Sequence, residues 1–182
     1  MTFVGVQMKL PPIHPLLYLG ISLGLLFLTN ALKNSVFGIV SVFAFTGVMG
    51  LMSAPVITAY LTIFSNGPEL IMTSLGLTAS IFVGLSAISI VTKKDFGYLG
   101  KFLFIGLIVA IGASLANIFF QIPALSLAVS GICVVIFSGY ILYDTSRIIN
   151  GGERNYIMAT VSLYISILNL FFSLLHILAA LT

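Results

Sequence analysis

Charge is almost absent from this 182-residue chain. It has seven Lys or Arg and four Asp or Glu, gathered at a few points between long apolar runs. A water-soluble domain of this size must cover its surface with polar groups, and a mean hydropathy of +1.24 leaves too few to do so. The chain therefore reads as all-α, a polytopic transmembrane helical bundle forming a single domain over residues 1–182, with the lipid bilayer as its solvent. A β-barrel is a poor alternative, because barrel strands alternate over about ten residues whereas these apolar runs are continuous over helical lengths.

About 20 apolar residues cross a bilayer as a helix. Six segments reach that length: 14–32, 36–63, 70–92, 102–120, 124–143 and 156–181. Breakers separate them: Asn34-Ser35, Ser65-Asn66-Gly67-Pro68, the charged stretch 93–101, Gln121-Ile122-Pro123 and Asn150-Gly151-Gly152-Glu153. Alternate loops divide the basic residues. Lys33, Lys93, Lys94, Lys101, Arg147 and Arg154 fall on one side, and Lys9 alone on the other. The positive-inside rule puts the six-residue set in the cytoplasm and both termini outside. Residues 1–7 look like the end of an apolar segment rather than a beginning. No cleavable signal peptide is expected in residues 1–15, which lack a compact apolar core followed by a small-residue cleavage site.

A pI near 9.1 raises the question of nucleic acid. Seven basic residues spread over short loops make no binding patch, so they are read as a topology signal. The single cysteine, Cys133, excludes an internal disulfide or thiolate metal site and sits in an apolar run as a small buried hydrophobe. Neither cofactor nor resident metal is expected; the two histidines, His14 and His176, are remote in sequence. No metalloprotease, phosphate-loop, nucleophile-elbow or dinucleotide motif is present, so no catalytic residue is assigned.

Polar residues inside the spans are the candidates for function. Ser162, Ser166, Asn169, Ser173 and His176 recur at spacings of four, three, four and three, which places them on one face of the last helix. Such a stripe faces the bundle interior, either as interhelical hydrogen bonding or as the lining of an ion or proton path. Asp144 follows twenty uncharged residues at the cytoplasmic end of the fifth span. It is read either as an interfacial pair with Arg147, three residues on, or as a gate or proton-sensitive latch. In the second span Gly47, Gly50, Ser53 and Ala54 precede Pro55, for close packing or a hinge. Gly112, Ala113, Ala116 and Asn117 repeat the theme in the fourth, and Asn117 is expected to find a partner near the outer surface.

These residues also carry a resemblance. Residues 137–175, with Tyr143-Asp144-Thr145-Ser146-Arg147 and Asn150-Gly151-Gly152, closely resemble the end of the Bax inhibitor family. Phe43-Ala44-Phe45-Thr46-Gly47 with Ser53-Ala54-Pro55 is similar to its early glycine-rich helix, and Lys93-Lys94-Asp95-Phe96 with Asn117-Ile118-Phe119-Phe120-Gln121-Ile122-Pro123 to its middle. The resemblance covers nearly the whole chain. It implies a seventh helix before span one, with residues 1–8 as its remnant and the chain as a shortened form, and a cytoplasmic N-terminal tail that engages a protease. In the bacterial branch it implies an inner-membrane protein that binds and restrains the FtsH protease or its HflK–HflC complex. The alternative it implies is a pH-sensitive calcium or proton leak, with calcium only as the transported ion. Where some members pair two carboxylates, this chain has Asp144 and Ser166, and a serine cannot share a proton as a second carboxylate would.

Overall fold

A computed structural model describes residues 15–182. It contains six helices: α1 (Pro15–Leu32), α2 (Gly38–Ile63), α3 (Gly67–Thr92), α4 (Leu99–Phe120), α5 (Pro123–Ile149) and α6 (Tyr156–Ala180). No strand occurs among the described residues. α2 to α6 are each long and apolar enough to cross a membrane, and α1 contributes a shorter apolar stretch, Gly20–Leu32. The expected remnant in residues 1–8, Lys9 and His14 lie outside the described residues.

Helix boundaries follow local chemistry. α3 starts at Gly67, three residues earlier than the apolar run suggests, because Pro68 suits a first helical turn and Glu69 there complements the helix dipole. α5 starts with Pro123 at its first position. At its other end α5 runs six residues past the expected boundary, so Asp144 and Arg147 lie within the helix. It stops at Asn150-Gly151-Gly152. Gly151 takes a left-handed φ of +75° and the Gly152 N–H donates to the Arg147 carbonyl at 2.8 Å, a Schellman stop that a residue with a Cβ resists. α2 is continuous through Pro55.

Contacts divide the chain into two compact units. Among the described residues, one comprises residues 15–69 and 155–161, the other residues 70–154 and 162–182. In the first, α1 and α2 pack on each other, and α2 buries Ser41, Phe45, Met49, Met52 and Ser53 along one stripe. In the second, Phe137 and Ile141 of α5 and Leu170 of α6 form a core flanked by Ile81, Phe82 and Leu85 of α3 and Leu107 of α4. Close approach of α4 and α5 uses small residues: a Cβ on Gly139 would stand 2.6 Å from Leu103, and one on Gly100 2.8 Å from the Tyr143 ring. In lipid there is no transfer gain from burying Leu170, so van der Waals packing and hydrogen bonds hold such pairs.

The lipid-facing surface is apolar. α4 exposes Phe102, Phe104, Ile105, Ile108, Val109 and Phe119, whereas from Val161 to Ala179 no residue of α6 is exposed. Most helical hydroxyls are satisfied within their own helix: Ser53 donates to the Met49 carbonyl at 2.7 Å and Ser74 to Leu70 at 2.7 Å. Ser89 differs. It is fully buried, and its hydroxyl has no hydrogen-bond partner among the described residues.

Candidate functional site

The polar stripe lies on α6, which has no exposed residue from Val161 to Ala179, and three of its five residues reach α5. The Ser162 hydroxyl donates to Asp144 Oδ2 at 2.5 Å. Ser173 lies within hydrogen-bonding reach of the Cys133 thiol and donates to the Asn169 carbonyl at 2.8 Å. His176 Nε2 meets Ser126 Oγ at 3.0 Å. As α5 numbers fall from 144 to 126, their α6 partners rise from 162 to 176, so the two helices run antiparallel along one seam. Ser166 is buried in the same stretch, and Asn169 turns its amide to the Ile165 carbonyl of its own helix at 2.8 Å. Between the Asp144–Ser162 and Cys133–Ser173 levels, the side chains of Phe137, Ile141 and Leu170 form an apolar layer, and the latter two have no exposed surface. The stripe thus makes polar contacts at separate levels with hydrocarbon between them.

Asp144 is 8% exposed, and the two residues that follow it, Thr145 and Ser146, are also buried. Thr145 Oγ1 lies 3.5 Å from Ser86 Oγ of α3. The expected alternative of an Asp144–Arg147 pair is not what forms. Arg147 instead places Nη2 3.6 Å from Glu153 Oε2, donates to the Gly152 carbonyl at 3.0 Å and stands 5.5 Å over the Tyr143 ring. Its reach is toward the exposed turn, because helix α5 continues past it and ends in that turn. Asp144 is left with a hydroxyl as its donor rather than a cation.

Two clamps that the sequence reading missed sit at helix ends. Ser146 Oγ donates to the Lys94 carbonyl at 2.9 Å and accepts from the Phe96 N–H at 3.0 Å, while Asn150 Nδ2 reaches the same carbonyl at 3.3 Å. The α3–α4 loop is thereby strapped to the end of α5. In the other unit, Asn155 caps α6: its Oδ1 accepts from the N–H groups of Ile157 and Met158, each at 3.1 Å. Its Nδ2 donates to the Lys33 carbonyl at 3.1 Å and to Asn34 Oδ1 at 3.0 Å, holding the α1–α2 loop. An asparagine directly before an apolar helical run is a capping signal that would have found it. The i, i+4 spacing of Ser146 and Asn150 gave no comparable hint, since their shared partner, the Lys94 carbonyl, lies 52 and 56 residues away in the chain.

Of the small residues in α2, Gly50, Ser53 and Ala54 are buried and Gly47 and Pro55 half-buried. Asn117 finds its partner at the end of α4, where Oδ1 accepts from the Ile122 N–H at 2.9 Å. Among the described residues no group of three or more His, Cys, Asp or Glu side chains is placed to hold a metal ion.

Long apolar helices joined by short loops, with polar contacts between helices at their seams and at their ends, define a multi-pass helical membrane protein. The chain belongs to the family described as inhibitor of apoptosis-promoting Bax1 (Bax1-I), whose profile matches residues 1–182. It is 49% identical over 175 residues to an uncharacterized protein of Pseudomonas aeruginosa, covering 96% of this chain and 78% of that one. It is 48% identical over 155 residues to a protein of Escherichia coli K12 named modulator of FtsH protease YccA, covering 85% of this chain and 70% of the relative. The counterpart in Escherichia coli O6:H1, named inner membrane protein YccA, matches to the same extent. The chain is thus a multi-pass protein of the bacterial inner membrane that resembles YccA.

Proposed function

We propose that this protein binds the FtsH membrane protease, alone or with HflK–HflC, and restrains its degradation of membrane proteins. The observation that carries this is the 48% identity over 155 residues with a relative named a modulator of that protease. The absence of any recognised catalytic motif in the sequence accords with a protein that acts by contact. On the orientation that the charge asymmetry favours, the clamped loops at Lys33 and Lys94 face the cytoplasm and offer shaped surfaces to a partner. The test is degradation of a membrane substrate by FtsH in liposomes as this chain is added. Slowing that tracks physical association supports modulation; an unchanged rate with the chain folded and inserted removes it.

A second reading, a pH-sensitive calcium or proton leak gated near Asp144, is favoured by one observation: a buried carboxylate that accepts from the Ser162 hydroxyl. Ions using the α5–α6 seam would have to part the Phe137, Ile141 and Leu170 layer. In liposomes loaded with a calcium or pH dye, flux that Asp144→Asn abolishes would support the leak. Flux identical in both proteins, or none in either, would exclude it.

A further inference from the structure

Beyond any protease contact, the α3–α4 loop has the features of a lipid-recognition surface. Lys93, Lys94 and Lys101 fall within nine residues, and all three are exposed. Among the described residues none of their amines has an ion-pair partner. The only acidic side chain in the stretch, Asp95, is turned to its own backbone, where Oδ1 accepts from the Gly97 N–H at 2.7 Å. The lysines are therefore not neutralised locally. Nor does helix stability explain Lys101, which lies in the first turn of α4, where a cation opposes the helix dipole.

The placement is specific. α3 ends at Thr92 and α4 begins at Leu99, both membrane-crossing helices, so the loop sits where hydrocarbon gives way to headgroups. Tyr98 and Phe102, 73% and 72% exposed, flank the lysines as amphipathic and apolar rings do at that depth. The loop is also held in shape. Lys93 adopts a left-handed φ of 50° as the chain leaves α3, and the Lys94 carbonyl is gripped by Ser146 and Asn150 of α5. A preset arrangement of cations loses less entropy on binding than a flexible tail does.

We infer that Lys93, Lys94 and Lys101, presented by the clamped α3–α4 loop, bind the phosphate headgroup of anionic phospholipid, with Tyr98 and Phe102 seated beside the acyl-chain boundary. Charge complementarity selects the anionic headgroup over a zwitterionic one, and the apolar ring faces select a lipid over a soluble anion.

The experiment uses the full chain, solubilised in mild detergent with equal phosphatidylglycerol and phosphatidylcholine, and counts the lipid that stays bound by mass spectrometry. Phosphatidylglycerol should be retained preferentially, and less so as salt rises. The triple substitution Lys93→Gln, Lys94→Gln, Lys101→Gln should reduce that preference roughly tenfold or more. A parallel triple Lys→Arg variant should keep it, and Lys33→Gln should leave it unchanged; thermal melting of each variant verifies the fold. Equal retention of both lipids, or a preference untouched in a folded Lys→Gln triple variant, would overturn the assignment. So would displacement of the lipid by millimolar inorganic phosphate, which would make this a free-anion site.

Discussion

Ser162→Ala removes the hydroxyl hydrogen that Asp144 Oδ2 receives and leaves a buried acceptor without that donor. Hydrogen bonds between membrane helices contribute little because the separated helices find other partners, so the expected loss is about 1 kcal/mol and at most about 2. Thermal unfolding in detergent would measure it. Ser89→Ala should go the other way. Its hydroxyl is buried without a partner among the described residues, so removing it should be neutral or mildly stabilising in the same assay. A clear loss of stability in Ser89→Ala would mean that the hydroxyl has a partner such as bound water. Asp144 was legible from sequence as an isolated acidic residue after a long uncharged run. Its partner was not, because Arg147 and Ser162 are both plausible until the end of α5 and the register of α6 are known.

At the scale of helices and loops, Asn155 joins two roles that substitution can separate. Asn155→Ala loses the α6 cap, about 1 kcal/mol, and also the grip on Lys33 and Asn34. Asn155→Asp keeps the cap acceptor but removes the amide donors, so it should retain most stability while amides of the α1–α2 loop exchange faster with deuterium. Equal exchange in Asn155→Asp and the native protein would show that the amide does not hold the loop. Close approaches predict a second contrast. A methyl at Gly139 meets the mobile end of Leu103, whereas one at Gly67 meets the Tyr60 carbonyl and the Leu61 backbone. Gly139→Ala should cost about 1 kcal/mol and Gly67→Ala up to about 3, since backbone gives way less readily than a rotamer. Small residues were readable in the sequence as packing signals. Which helix each one meets was not.

For the whole molecule, orientation is the quantity to measure. With Cys133 replaced by alanine, Asp95→Cys should resist a membrane-impermeant thiol reagent added outside intact cells, and Asn66→Cys should react. The reverse pattern would invert the topology inferred from the basic loops. Membrane location and the six helices were determined by sequence alone, because a bilayer demands long apolar runs and admits few charges whatever the packing. The α6 stripe was equally plain, since a helix repeats every 3.6 residues. Only the tertiary structure decided what the stripe touches: Asp144 at one level, Cys133 and Ser126 at others, with Phe137, Ile141 and Leu170 between. Periodicity assigns residues to a face, but partners depend on which helix lies opposite and in what register, and those are set by packing among residues far apart in the chain.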